Sequence, residues 1–404
     1  MSLVTLRAES LRQAGFYVPA FEIKITGANL PQDVVRDVIQ VTYKDNIREI
    51  DSVEFVVNNW DTTARAFKYV GSETPASLQG SSPESQRQRL FDPCRNDFEL
   101  YMGYQGDLRL MTRGDITTLE PSFPSNTAPV LTVRGLNVLH RLRRKQYTTF
   151  FEHRRDSEIA RRIAALRDPD THERRFPIPI DIDQEALGRE HPEDYVAQNN
   201  QYDIDFLLAR ARERGYVVFV HPVRNPRTGR VEDHLYFGPS HTNMHLPLRD
   251  VTYVLEYGTS LVEFKPTMNV ANQVGSVTLR SWNRRTRRRI RETVTLQDRR
   301  IRINRDLIEM LGECNLRSEV VTRQPAFCDC NASLRALSML LDKFKELVTA
   351  TGVSIGLPNL RAGQRVRIEG VGSRFGGTYF ITETTHTCDD NGYLTRFSAR
   401  RESQ

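Results

Sequence analysis

Apolar and polar residues alternate with a period of two through the first third of this chain, and that rhythm limits the folds open to it. Phe21, Ile23 and Ile25 fall on one side, and Glu22, Lys24 and Thr26 on the other. The pattern recurs at Ile39, Val41 and Tyr43, at Val53, Phe55 and Val57, at Phe98, Leu100 and Met102, and at Leu131 and Val133. Successive strand side chains point to opposite faces, so these segments predict half-buried antiparallel strands. Strands are expected again at 252–255, at 261–264 and through Val277, Leu279 and Ser281. Three more close the chain, through Val366 and Ile368, Tyr379 and Ile381, and Tyr393, Thr395 and Phe397.

Between these runs the character changes. Asp156 or Ser157 can cap a helix whose Ile159, Ile163 and Leu166 share a face. A polar connection with prolines is read from 167 to 200, then a helix opening near Asp203 and ending at Gly215. Leu334, Leu337, Leu341, Phe344 and Val348 have helical spacing. The stretch 61–93 loses the alternation and is rich in turn formers, as in a long excursion exposed or ordered by a partner. The expected fold is mainly β (α+β): two tube-like antiparallel β-barrel domains, an α/β insert domain between them, and a helix inserted in the second barrel. The expected boundaries are an N-terminal arm at 1–15 and a first barrel at 16–145 with an exposed insert at 61–97. The insert domain then covers 146–248, and a second barrel 249–404 carries an insert at 300–350.

Charged residues form 27% and hydrophobic ones 39%, ordinary for a soluble globular chain, and no apolar run is long enough to span a bilayer as a helix. The start has no secretory pattern, so a cytoplasmic product is expected. The formal charge of +6 is modest but uneven. Arg284, Arg285, Arg287, Arg288, Arg289 and Arg291 form one basic run, and Arg141, Arg143, Arg144 and Lys145 a smaller one. The plain reading is a solvated strand or loop edge kept from pairing by its charges; the other is a wall facing nucleic acid or an acidic passenger. Cys94, Cys314, Cys328, Cys330 and Cys388 are an odd, sparse set, expected as free thiols in a reducing cell.

Catalytic signals are poor. Gly370, Gly372, Gly376 and Gly377 resemble a phosphate loop but lack the following Lys-Ser/Thr, and a turn is expected. His241 and His245 stand four apart near His234, but among Pro239, Ser240 and Pro247 they read as loop and not as a helical zinc pair. Cys328 and Cys330, which Cys314, His386 and Cys388 could join, lack the Cys-x-x-Cys spacing that wraps one metal. The carboxylate pairs Asp181/Asp183 and Asp203/Asp205 occupy polar or cap positions, with Asp203 expected to start its helix. No catalytic, cofactor-binding or metal-ligating residue is assigned.

The closing module carries a resemblance. Leu357, Pro358, Gly363 and Gln364, then Val366 to Gly372 (366–372), then Phe375, Gly376, Gly377 and Tyr379, then Thr385 and His386, and lastly Gly392, Tyr393 and Phe397 resemble the end of the phage late control D family. These are tail hub proteins related to the first part of VgrG spike proteins. Upstream, residues 98–106, 112–116, 131–139, 157–160 and 202–207 resemble that family's strands and insert helices in order. The resemblance implies a homotrimeric baseplate hub of a contractile tail or injection system. Two similar barrels per chain would make a pseudo-sixfold ring, a symmetry adapter between a hexameric inner tube and a trimeric spike, with wedge proteins around it. Such a protein is assembled in the bacterial cytoplasm, is not an enzyme, takes no cofactor, contacts no membrane, and meets nucleic acid only as passing cargo.

The sequence departs from VgrG-type chains by ending at Gln404, so the spike is expected on a separate polypeptide. The stretches 61–93 and 300–332 have no counterpart in the resemblance and are expected to bind neighbouring baseplate proteins or a tube-length or cargo component. Two alternatives remain: a metal-dependent tail-tip hydrolase using the histidines near His241, which stoichiometric zinc would favour, and a nucleic-acid-binding tail component using 284–291, which steeply salt-dependent binding would favour.

Overall fold

The computed structural model describes residues 2–6, 18–74, 79–176, 178–226, 229, 231–240, 251–283, 286–301, 311, 314, 316–322, 326 and 328–401. The fold is mostly β. In the first third, strands lie in the spatial order Val38–Asn46, Ser52–Asn58, Val130–Asn137, Asp107–Ser122, Asp97–Tyr104, Pro19–Ile25, all antiparallel. The alternation works as expected: Ile23, Ile25, Val41, Tyr43, Val53, Phe55, Phe98, Leu100, Leu131 and Val133 share one core. Ile39 is the exception and is exposed, because the ladder to Ser52–Asn58 shifts register between Val38 and Gln40. A second shift, at Gly135, lets the Phe98 ring lie over the backbone, where a Cβ would come within 2.3 Å of Phe98 Cε1.

The last third adds Leu261–Met268, Val348–Ile355, Gly392–Arg400, Gly377–Asp389, Arg365–Glu369 and Val251–Glu256 in that order, with Ser2–Leu6 parallel beside the last. Gly377–Asp389 is the pivot. One edge follows Gly392–Arg400; the other pairs first with Arg365–Glu369 and then, from Glu383 to Cys388, with Val38–Asn46 of the first third. A bulge between Ile381 and Glu383 accompanies the change of partner. The expected two barrels are therefore joined in one 14-stranded sheet whose pairing path is open, with no closed barrel among the described residues. Alternation reports which face of a strand is buried and nothing about its lateral neighbours.

Beside this sheet, Val274–Asn283, Arg288–Thr295 and Arg317–Val321 form a three-stranded sheet covered by the helix Asp329–Lys345. The buried stripe of that helix is Ala332, Ala336, Leu340 and Phe344. Leu334, Leu337 and Leu341 are half-buried, and Val348 already belongs to the next strand. Small alanines bring the helix close to the sheet, a packing that a search for large apolar residues overlooks.

The middle third carries the helices Asp156–Ala165 and Asp203–Arg214; the latter ends at Gly215, left-handed at φ 70°, as expected. The stretch read as a connection holds the strand Ile180–Ile182, the helix Gln184–Arg189 and the strand Glu193–Tyr202. Ile180–Ile182, Val231–Pro239 and Tyr216–Arg224 make one sheet, and Gln146–Arg154 pairs with Glu193–Tyr202 as a ribbon. The 61–97 excursion is pinned by Tyr69 and Phe91, both buried in the first core. No described helix is long and apolar enough to cross a membrane.

Candidate functional site

A buried polar network lies where the closing segment meets the first strands. Arg361 donates through Nη2 to the carbonyls of Leu110 (3.1 Å) and Met111 (2.8 Å). Its guanidinium lies 4.7 Å from the centre of the Tyr43 ring, and Nη1 stands 3.9 Å from Asp45 Oδ2. Asp45 also accepts the backbone N–H of Ala362 at 3.0 Å. Tyr104 donates to the carbonyl of Gly356 at 2.9 Å. Buried charge is tolerated here because it is paired and hydrogen-bonded.

His386 completes the seam. Nε2 faces the carbonyl of Leu360 at 3.0 Å, so the proton resides there, and Nδ1 accepts from the Tyr393 hydroxyl at 2.9 Å. Burial and the neighbouring Arg361 hold its pKa well below the usual imidazole value, and the ring is neutral. Thr395 and Ser354, both fully buried, continue the bonding toward Leu357.

The middle sheet sits on this seam. Val217, Phe219 and Tyr236 pack with Ile47, Ala362 and Phe380, one cluster holding all three parts of the chain. On the same middle sheet, Asp181 Oδ2 meets His221 Nε2 at 2.9 Å and His234 Nδ1 at 3.0 Å. Burial raises the Asp181 pKa, but the two imidazoles outweigh it and hold it below the usual carboxylate range. A second junction fixes the middle helices to the helix Asp329–Lys345. Asp156, wholly buried, takes Arg210 Nε at 2.6 Å and also Arg214. Glu193 takes Arg214 (3.2 Å), Arg335 (3.3 Å) and the Asn331 amide (2.9 Å).

The structure redistributes several sequence-singled residues. Neither Asp156 nor Ser157 caps the first middle helix: Arg155 is the N-cap, Glu158 returns to its N–H at 3.0 Å, and Ser157 bonds Glu190. Asp203 is the first helical residue after Tyr202, its carboxylate held by Arg175 and by Gln198 at 2.8 Å. Asp183 caps Gln184–Arg189, and Asp205 pairs with Arg143 at 2.8 Å. Gly372–Phe375 is a single helical turn before the strand at Gly377, not a phosphate loop. The smaller basic cluster is consumed internally: Arg141 and Arg144 on Asp115, Lys145 on Asp168. His241 and His245 lie outside the described residues; among those described, no group of three or more His, Cys, Asp or Glu could hold a metal ion. Cys94 and Cys388 are free thiols, but Cys328 is disulfide-bonded, against the expectation for all five. The junction residues carry no local signal: Asp45, Arg361 and His386 are isolated polar positions, and only the pairing of distant strands brings them together.

A comparison with protein families matches the Alg8 N-terminal domain across residues 17–390. The chain belongs to that family. This Alg8 N-terminal domain chain is similar to the 43 kDa tail protein of prophage MuSo2 from Shewanella oneidensis, with a TM-score of 0.62 at 13% identity, covering 95% of this chain and 98% of that one. It is also similar to a tail protein from Neisseria meningitidis MC58, with a TM-score of 0.59 at 12% identity and coverage of 96% and 97%. A third similar structure is an Escherichia coli component of the type VI secretion system, described as like T4 bacteriophage tail proteins gp27 and gp5. Its TM-score is 0.53 at 13% identity, with 95% and 77% covered. At such identities the likeness is one of fold. No curated protein matches.

Proposed function

We propose that this chain is a non-catalytic structural hub of a contractile tail or tail-like injection system. Three copies form a pseudo-sixfold ring that joins a hexameric inner tube to a trimeric spike, with other baseplate proteins bound around it. The observation that carries this reading is the likeness in fold to a phage tail protein along 95% of this chain and 98% of that one. The late control D resemblance of residues 357–397 agrees with it. The domain boundaries at 16–145, 146–248 and 249–404 belong to the same proposal, the two outer β parts answering one another in the ring.

The open sheet suits a ring. Among the described residues, Leu261–Met268 pairs as a strand with Val348–Ile355 alone, apart from a single bridge from Leu261 to Tyr257, and the strand carries Glu263, Lys265 and Pro266. Such an edge resists random pairing but accepts a matched neighbour. The rigid three-way seam at Arg361 and His386 would hold that edge in fixed relation to the first strands. The deciding measurement is the mass of the purified protein, alone and with its spike. Three times the chain mass of 46.6 kDa supports the hub; a chain that stays monomeric in both overturns it. Deleting residues 71–83 should leave the ring intact and block particle assembly.

A further inference from the structure

The three-stranded sheet beside Asp329–Lys345 has one face in the core and one in solvent. Val277, Leu279, Ile290 and Val294 are buried under the helix. On the other face Arg280 stands directly opposite Arg291, and Trp282 directly opposite Arg289. All four are exposed, Trp282 by 52%. Thr278 and Thr293 continue this face with their hydroxyls 2.9 Å apart, and Val320, 49% exposed, extends it opposite Thr278. Arg287 and Arg288 are exposed at the turn.

This is more than the solvated edge expected from the charge run. Arg280 arrives from the facing strand, so like charges sit opposite one another, an arrangement that is unfavourable until something anionic covers it. Of the acids on and beside these strands, Glu319 pairs with Lys343 at 3.7 Å and Asp298 with Arg300 at 2.6 Å, while Glu292 lies opposite Leu279 on the other face of the sheet. Among the described residues, no ion pair involves Arg280, Arg287, Arg288, Arg289 or Arg291. Among the described residues, Arg288–Thr295 is also an edge strand, paired only with Val274–Asn283.

We propose that this hairpin captures an extended acidic segment of another protein chain. The segment adds along Arg288–Thr295 as a further strand, with alternate carboxylates opposite Arg289 and Arg291 and within reach of Arg280. Trp282, on the adjacent strand, supplies the apolar contact. A polynucleotide could meet the arginines but has no backbone amides to complete the ladder, and the open edge favours a peptide. The inference goes beyond the hub reading and does not depend on it.

The test uses the full chain carrying Trp60→Phe, which leaves Trp282 as the only tryptophan. The probes are a peptide of alternating Glu and Thr and a single-stranded oligothymidylate of equal charge. The peptide is expected to shift Trp282 emission and to bind more tightly than the oligonucleotide. The double variant Arg289→Glu/Arg291→Glu, with unchanged circular dichroism, weakens peptide binding about tenfold or more. Methylating alternate backbone amides of the peptide weakens it similarly. Tighter binding of the oligonucleotide, no binding of either, or indifference to charge reversal or to amide methylation overturns the proposal.

Discussion

Arg361 and Asp45, far apart in sequence, face each other with Nη1 and Oδ2 3.9 Å apart, their side chains only 6% and 1% exposed. The pair, with the two carbonyls that Arg361 caps, binds the closing segment to the first strands. Arg361→Leu leaves the Asp45 carboxylate buried without its guanidinium and should cost about 3–5 kcal/mol. Arg361→Lys keeps the charge but loses the planar fork over Tyr43, so it should rescue only part. Chemical denaturation of the purified chain measures both; a loss within error of zero for Arg361→Leu contradicts the pairing.

Acid should loosen the same seam through His386. Its folded pKa lies well below the usual 6.5 because burial and Arg361 oppose the imidazolium. Below 6.5 the unfolded chain takes up a proton that the folded chain refuses. Stability is therefore whole above 6.5 and falls as pH drops, by up to about 1.4 kcal/mol per unit for one such group. The thermal midpoint should fall between pH 7 and pH 5, and His386→Gln should flatten that slope while lowering stability at neutral pH.

Asp156 should be the weak point of the middle third when removed. Burial disfavours its charge, but Arg210 and Arg214 outweigh that and hold its pKa below the ordinary carboxylate value. Its contribution is present above the unfolded carboxylate pKa and is lost as pH falls through the folded one. Asp156→Asn leaves two guanidiniums buried beside a neutral amide, at about 3–5 kcal/mol. Hydrogen exchange should then rise first in Asp156–Ala165 and Asp203–Arg214, before the 14-stranded sheet opens.

At Gly135 a methyl group is too large. A Cβ would stand 2.3 Å from the Phe98 ring and 3.1 Å from the Asp115 carbonyl, so Gly135→Ala must displace a packed aromatic. The expected cost is about 1–3 kcal/mol, read as a lower denaturation midpoint with an unchanged slope. Adding Phe98→Leu should recover part of the loss, because it removes the struck atoms.

Much of the local structure was legible because strand alternation and helix termini are local effects. Val41, Tyr43, Phe55, Leu100 and Val133 were placed in the core by period alone, and Gly215 ended its helix by its conformational freedom. Local signals failed where a distant partner competed. Ile39 was expelled by a register shift, Ser157 was taken by Glu190, and the alanine stripe of Asp329–Lys345 buried itself at the expense of Leu334 and Leu337.

The sequence by itself determined that this chain is mostly strand, where many of its strands run, and which of their faces turn inward, since burying a period-two apolar face needs no knowledge of its neighbours. Only the tertiary structure decided that Gly377–Asp389 pairs with both the first and last thirds, joining two expected barrels in one open sheet. Lateral strand order depends on backbone hydrogen bonds, which are the same for every residue type and leave no mark in the side-chain pattern. The same pairing brought Asp45, Arg361 and His386 into one buried network.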